Sequence, residues 1–158
     1  MNALLYWMVW LSLIAFVAGE LAKSRRYAGA WSVSATGAIL LAIHIVLAMA
    51  VRHGWSNASA LDATARQTND MFGINWGGGV YVNYVFAVVW IAELFAWRQW
   101  PEGYASRPRW IRWSLRAFYF VLIVSAAVIF ATEWRRWLGA AIVVVLLASW
   151  IKRPGRRR

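Results

Sequence analysis

Five apolar stretches, each close to twenty residues long, dominate this chain of 158 residues. They run from about 3 to 22, 31 to 51, 79 to 97, 114 to 132 and 134 to 151. About 20 residues of α-helix cross the roughly 30 Å hydrocarbon core of a bilayer. The first four stretches meet that length, and the fifth meets it marginally. Lipid offers no partner to a backbone amide, so only helices or closed barrels can span it. Runs this long select helices, because a barrel strand needs only about 10 residues. The chain therefore reads as an all-α integral membrane protein, one transmembrane domain built as a bundle of five helices. The alternative is four spans with the last stretch on the surface. The apolar fraction of 62% agrees, since a soluble domain averages about 45–50% and has one core in which to hide it.

The net charge is +11. In a soluble domain this would raise the question of nucleic acid, but here the basic residues flank the spans. Lys23, Arg25, Arg26, Arg98, Arg107, Arg109, Arg112, Arg116, Lys152, Arg153, Arg156, Arg157 and Arg158 fall on one side. Arg52, Arg66, Arg135 and Arg136 fall on the other. Thirteen against four places the N-terminus outside and the C-terminus in the cytoplasm, with no nucleic-acid partner. The first basic cluster follows the first apolar run, as in an N-out anchor and unlike a cleaved signal peptide. Eleven of the 13 Trp sort into two belts near the span ends, where indole favours the membrane boundary. Trp90 lies well inside its span. The chain has no Cys, which excludes disulfides, thiolate metal sites and thiol catalysis.

Between the spans, the outer loop 52–78 has the most character. Ser59-Ala60-Leu61-Asp62 reads as a capping box, and Gly73 can end the helix that follows. The pattern predicts a short outer surface helix at about 59–72. Gly77-Gly78-Gly79 reads as a tight turn into the third span, or as free amides for an anion; it lacks the Lys and Ser/Thr of a P-loop. The segment 99–109, with Pro101, Gly103 and Pro108, is expected to be irregular. The basic tail 152–158 is a topology signal that can also meet anionic lipid.

Ionisable groups at membrane depth are costly and therefore draw attention first. His44 and Glu93 qualify. By depth, His44 groups with Asn83 and Ser125, and Glu93 lies deeper toward the basic side with Glu20. Together, His44, Asn83, Glu93 and Ser125 form a candidate polar membrane site. The structural alternative for His44 is a hydrogen bond to a neighbouring helix, and for Glu93 a pair with Arg98. No cofactor is predicted. The two His, His44 and His53, sit nine residues apart, half a turn around a helix, so they cannot bind one haem together.

Ala65-Arg66-Gln67-Thr68, Trp76-Gly77-Gly78-Gly79, Tyr81-Val82-Asn83-Tyr84, Phe86 and the Pro-Arg-Trp at 108–110 resemble a group of small polytopic bacterial membrane proteins. The resemblance implies a bacterial inner (plasma) membrane and brings no activity with it. It singles out Arg66, Gln67, Asn75, Trp76 and Tyr84 as a candidate outer-face site. Length, span number and Trp content are also similar in outline to the tryptophan-rich sensory proteins, whose Trp/Pro-rich signature is absent.

With no catalytic constellation in view, the expected role is a binding module or an accessory subunit of a membrane complex. Its partners would be the lipid bilayer and other membrane subunits. The alternatives are a proton-coupled transporter using His44 and Glu93, and a membrane enzyme with an outer-face site. Because the chain lacks Cys, single cysteines can report its orientation. Ser59→Cys should react with a membrane-impermeant maleimide in intact cells, and Ser106→Cys only after permeabilisation. The reverse labelling pattern would invert the topology.

Overall fold

The computed structural model describes residues 2–131 and 133–151. The tail 152–158, and with it the anionic-lipid reading, lies outside them. Seven α-helices follow in order: α1 (Asn2–Ser24), α2 (Ala30–Arg52), α3 (Asn57–Phe72), α4 (Gly79–Gln99), α5 (Pro101–Ser106), α6 (Arg109–Val124) and α7 (Trp134–Ile151). A π-helical segment, Ser125–Ile129, extends α6. No strand occurs among the described residues. Helices α1, α2, α4, α6 with its extension, and α7 are long and apolar enough to cross a membrane. The chain is thus a multi-pass helical membrane protein. Helix α7, with 18 residues, is long and apolar enough to be the fifth.

Helix α1 is the axis of the bundle. It is 39% buried over its apolar window, against 17–22% for the other four. It packs along α2 and also against α7, and α2 and α6 in turn touch α4. Lipid gives apolar side chains no reason to leave it, so spanning helices associate through close packing and hydrogen bonds. The α1–α2 seam uses both. Gly19 approaches the backbone of Ser34, and a methyl group at Gly37 would meet Ala15 and the Trp90 ring. The buried Ser12 hydroxyl donates to the Gly37 carbonyl at 2.8 Å. Small residues at four-residue spacing, Ala15 and Gly19 on α1 and Ser34 and Ala38 on α2, make this approach possible.

The closeness of α1 and α2 lets large rings fill the centre. Phe16 meets Trp90 edge-on at 4.9 Å and Tyr119 at 5.0 Å, and Phe86 meets Tyr119 at 5.6 Å. Trp90 donates its indole N–H to Ser34 Oγ at 3.1 Å, and Trp31 donates to the Leu94 carbonyl at 3.1 Å. Most other Trp face outward, led by Trp137 and Trp110 at 77% and 70% exposure. That exposure suits rings at a membrane boundary.

Three local features differ from the expectation. Helix α3 begins at Asn57, and its cap is Ser56, whose side chain accepts from the Ser59 amide. Ser56 has the extended backbone a cap needs, whereas Ser59 is already helical and its hydroxyl meets His53 Nδ1. Gly73 ends α3 in the left-handed conformation, as expected. The segment after α4 is not irregular throughout: Pro101 starts the short helix α5 with Glu102 in its first turn, an arrangement proline favours. The fourth span begins at Arg109 and finishes in the π segment.

That π segment carries Ala127 against Gly139 of α7, where an added methyl would collide with the Ala127 carbonyl. Gly139→Ala should therefore cost about 1–3 kcal/mol through overpacking, while Gly29→Ala, with open space around it, should not destabilise. Thermal unfolding in mild detergent checks this; equal melting of the two variants would remove the contact from the account.

Candidate functional site

The alternating direction of the spans brings the ends of α1, α4 and α7 together with the starts of α2 and α6. Most of the basic side chains gather at that end. A chain of side-chain contacts crosses it. The Trp150 indole donates to Glu20 Oε2 at 2.7 Å. Lys23 lies 3.4 Å from Glu20 Oε1 and 2.5 Å from the Tyr104 hydroxyl. Tyr104 donates to Glu93 Oε2 at 3.1 Å, and Arg107 Nη1 reaches both Glu93 oxygens at 2.6 Å. Six side chains thus link α7, α1, α5 and α4.

Aromatic faces reinforce the chain. Tyr104 stacks on Trp97 with 14° between the rings. Lys23 sits over both rings, and Arg107 lies 4.1 Å from the Tyr104 centroid. A cation held between a carboxylate and ring faces keeps its charge with little water. Burial pushes the Tyr104 phenol above its usual range, against the pull of Lys23, so it stays neutral and can donate. Burial alone would lower the Arg107 guanidinium, but the hydrogen bonds and charges of Glu93 and Tyr104 together outweigh this and hold it above its ordinary value.

Beneath this network opens a cavity of about 1040 Å³. Its walls include Lys23, Arg26, Arg107, Arg109, Arg112 and Arg116 against Glu20 and Glu93, an excess of four positive charges. Arg109, Arg112, Arg116 and Tyr119 recur at spacings of three and four, so they share one face of α6. Arg116 stands over the rings of Trp113 and Trp150. Arg26 has a left-handed backbone, φ 59°, in the turn after α1. That position favours glycine, and a side chain there costs roughly 1–2 kcal/mol. Deeper in, Phe16, Trp90 and Tyr119 close the cavity with the rings of the core.

Of the candidate site residues read from sequence, Glu93 lines this cavity, together with Glu20, which the sequence grouped with it by depth. Its partner is Arg107, not Arg98. Arg98 lies five residues along the same helix, about 140° around it, and rests over Trp31 instead. His44, Asn83 and Ser125 do not come together through hydrogen bonds. His44 Nδ1 pairs with the Leu5 carbonyl at 2.8 Å and Ser125 donates to the Val121 carbonyl, while Asn83 is exposed. At the opposite end, Arg66, Gln67, Asn75 and Trp76 are exposed, and Tyr84 reaches Met49 Sδ at 3.3 Å. The glycine run serves close approach: methyl groups at Gly77 and Gly79 would meet Leu61 and Thr64 of α3.

Sequence reasoning missed Tyr104, Arg107, Tyr119 and the α6 arginines. Tyr104 and Arg107 carried no local signal, since the backfolding of α5 puts them in place. The α6 set did carry one, in the helical spacing of Arg109, Arg112, Arg116 and Tyr119.

Glu93→Gln removes the charge that holds Arg107 and leaves α5 without its anchor. A loss of about 2 kcal/mol is expected, the scale of a charge-assisted hydrogen bond. Chymotrypsin should then cut faster after Tyr104, and unchanged cleavage would show that α5 is held by other contacts. No family model matches the chain, nor does any curated protein or solved structure.

Proposed function

We propose that the chain is a binding module of a bacterial inner membrane whose ligand site is the cavity at the basic end. In this reading the N-terminus is outside and the C-terminus cytoplasmic, so the cavity opens at the inner boundary of the bilayer. The ligand is an amphipathic molecule drawn from the membrane. One observation carries the proposal: a cavity of about 1040 Å³ joins a cationic rim to an aromatic interior at a span end. A polar rim and an apolar floor match a molecule with a head and a tail.

The same geometry favours binding over proton-coupled transport. His44 and Glu93 each hold a structural partner, Leu5 and Arg107. They also belong to different parts of the bundle, with no hydrogen bond between them. An enzyme at the opposite face would need convergent polar groups, and its candidates there are spread over an exposed surface. A role as accessory subunit remains compatible with a ligand-filled cavity, because the apolar flanks of the bundle are free to meet other spans.

Photo-cross-linking in native membranes tests the proposal. A phospholipid with a diazirine in its acyl chain should label the segments around Phe16, Trp90 and Tyr119 above the rest of the bundle. Labelling spread evenly over all lipid-facing helices would overturn it.

A further inference from the structure

Among the described residues, the Tyr119 hydroxyl has no hydrogen-bond partner. The residue is 7% exposed and lines the cavity, while its hydroxyl oxygen is itself covered. Nearby polar groups are satisfied: Ser34 accepts from Trp90, Ser149 donates to the Leu146 carbonyl, and Glu20 accepts from Trp150. A buried hydroxyl left unpaired carries the full loss of its hydration. A ligand that presents an acceptor at this depth would remove that loss.

The rim makes a second, independent demand. Glu20 and Glu93 are matched by Lys23 and Arg107. Arg26, Arg109, Arg112 and Arg116 have no carboxylate within ion-pair distance among the described residues. Arg26 and Arg109 are exposed, where water screens their charges, but Arg112 and Arg116 are half-buried one turn apart, where repulsion is screened less. Guanidinium forks fit phosphate oxygens in pairs. The rim thus calls for a phosphate-type anion with more than one negative charge.

The order of these groups along α6 fixes the shape of the ligand. Arg109 and Arg112 lie at the helix start, Arg116 a turn deeper, and Tyr119 about 5 Å beyond Arg116. Below Tyr119 come Phe16 and Trp90. An acylated glycerol phosphate presents the same sequence: phosphate at the boundary, ester carbonyl just beneath, hydrocarbon below. Resting on the binding reading above, we infer that the cavity takes a phospholipid with a dianionic phosphate head. The phosphate is held by Arg112 and Arg116, and an acyl ester carbonyl, entering as the side chains that cover it part, accepts from Tyr119 Oη.

The test uses the full chain, delipidated in neutral detergent and followed by tryptophan fluorescence. The probes are dioleoyl phosphatidic acid, its ether-linked analogue, dioleoyl phosphatidylcholine and inorganic phosphate. Phosphatidic acid should bind about tenfold or more tighter than phosphatidylcholine, and the double variant R112Q/R116Q should erase the difference. Tyr119→Phe should weaken phosphatidic acid about fivefold and leave the ether analogue unchanged. It should not lower the melting temperature of the ligand-free protein, because it removes an unpaired hydroxyl. A drop in that melting temperature, or equal losses for ester and ether lipids, would overturn the role of Tyr119. Inorganic phosphate competing at the same concentration as the lipid would overturn the lipid assignment. Equal affinity for the two phospholipids, with cavity cross-links still present, would overturn the dianionic head and leave the binding reading standing. Loss of the cross-links themselves would bring down that reading instead.

Discussion

A bilayer interior gives a backbone amide nothing to bond with and gives an oily side chain no reason to turn inward. The first condition forces every crossing segment to be a helix. The second removes the force that compacts a soluble protein, so helix association has to come from fit. In this chain the fit begins at the seam of α1 and α2. Ser12, Gly19, Ser34 and Gly37 keep the two backbones close, and Ser12 bonds across to Gly37. Closeness there sets the position of Trp90, whose ring lies against Gly37 and whose N–H meets Ser34. Trp90 then organises Phe16 and Phe86, which organise Tyr119. The floor of the cavity is the far edge of this packing.

The rim follows different physics. Two carboxylates stand at a depth where a lone charge is expensive, and each is held by a cation and further hydrogen bonds. Tyr104 is the pivot, since its hydroxyl takes a bond from Lys23 and gives one to Glu93. Phenylalanine could stack on Trp97 equally well but could not join the two charged pairs. Around this neutralised centre the remaining arginines are in excess. Ring faces from Trp113 and Trp150 cushion Arg116, yet a ring supplies only a fraction of what a counter-anion would. Balance at the centre and imbalance at the edge separate the residues that build the site from those free to meet something else.

Length and hydropathy made the helical spans legible, because the bilayer thickness is a fixed ruler. Gly73 as a helix stop and α7 as a full fifth span follow from the same local rules. The site was legible only in fragments. Glu93 stood out as an acid at depth, but its partner depended on how α5 folds back, which a loop rich in Pro and Gly does not announce. His44 drew attention for its chemistry, and its ring is spent on the Leu5 carbonyl. The α6 arginines were read as topology signals. Their shared face shows that one set of charges can mark orientation and line a cavity together. Tyr119 could not have been singled out, since an unpaired hydroxyl is a property of what fails to surround it.

The bond between Trp150 and Glu20 joins residues 130 positions apart. A ribosome finishes α1 well before it reaches α7, so α1 waits through the making of the intervening helices for a neighbour that completes its wall. Lys23 meets Tyr104 and Trp97 once α4 and α5 are made, but Glu20 lacks its indole partner until Trp150 arrives. The α7 wall of the cavity is consequently added after the others. Whatever occupies it arrives with, or after, the final helix, and a chain stalled before Trp150 would be a threaded protein without a pocket.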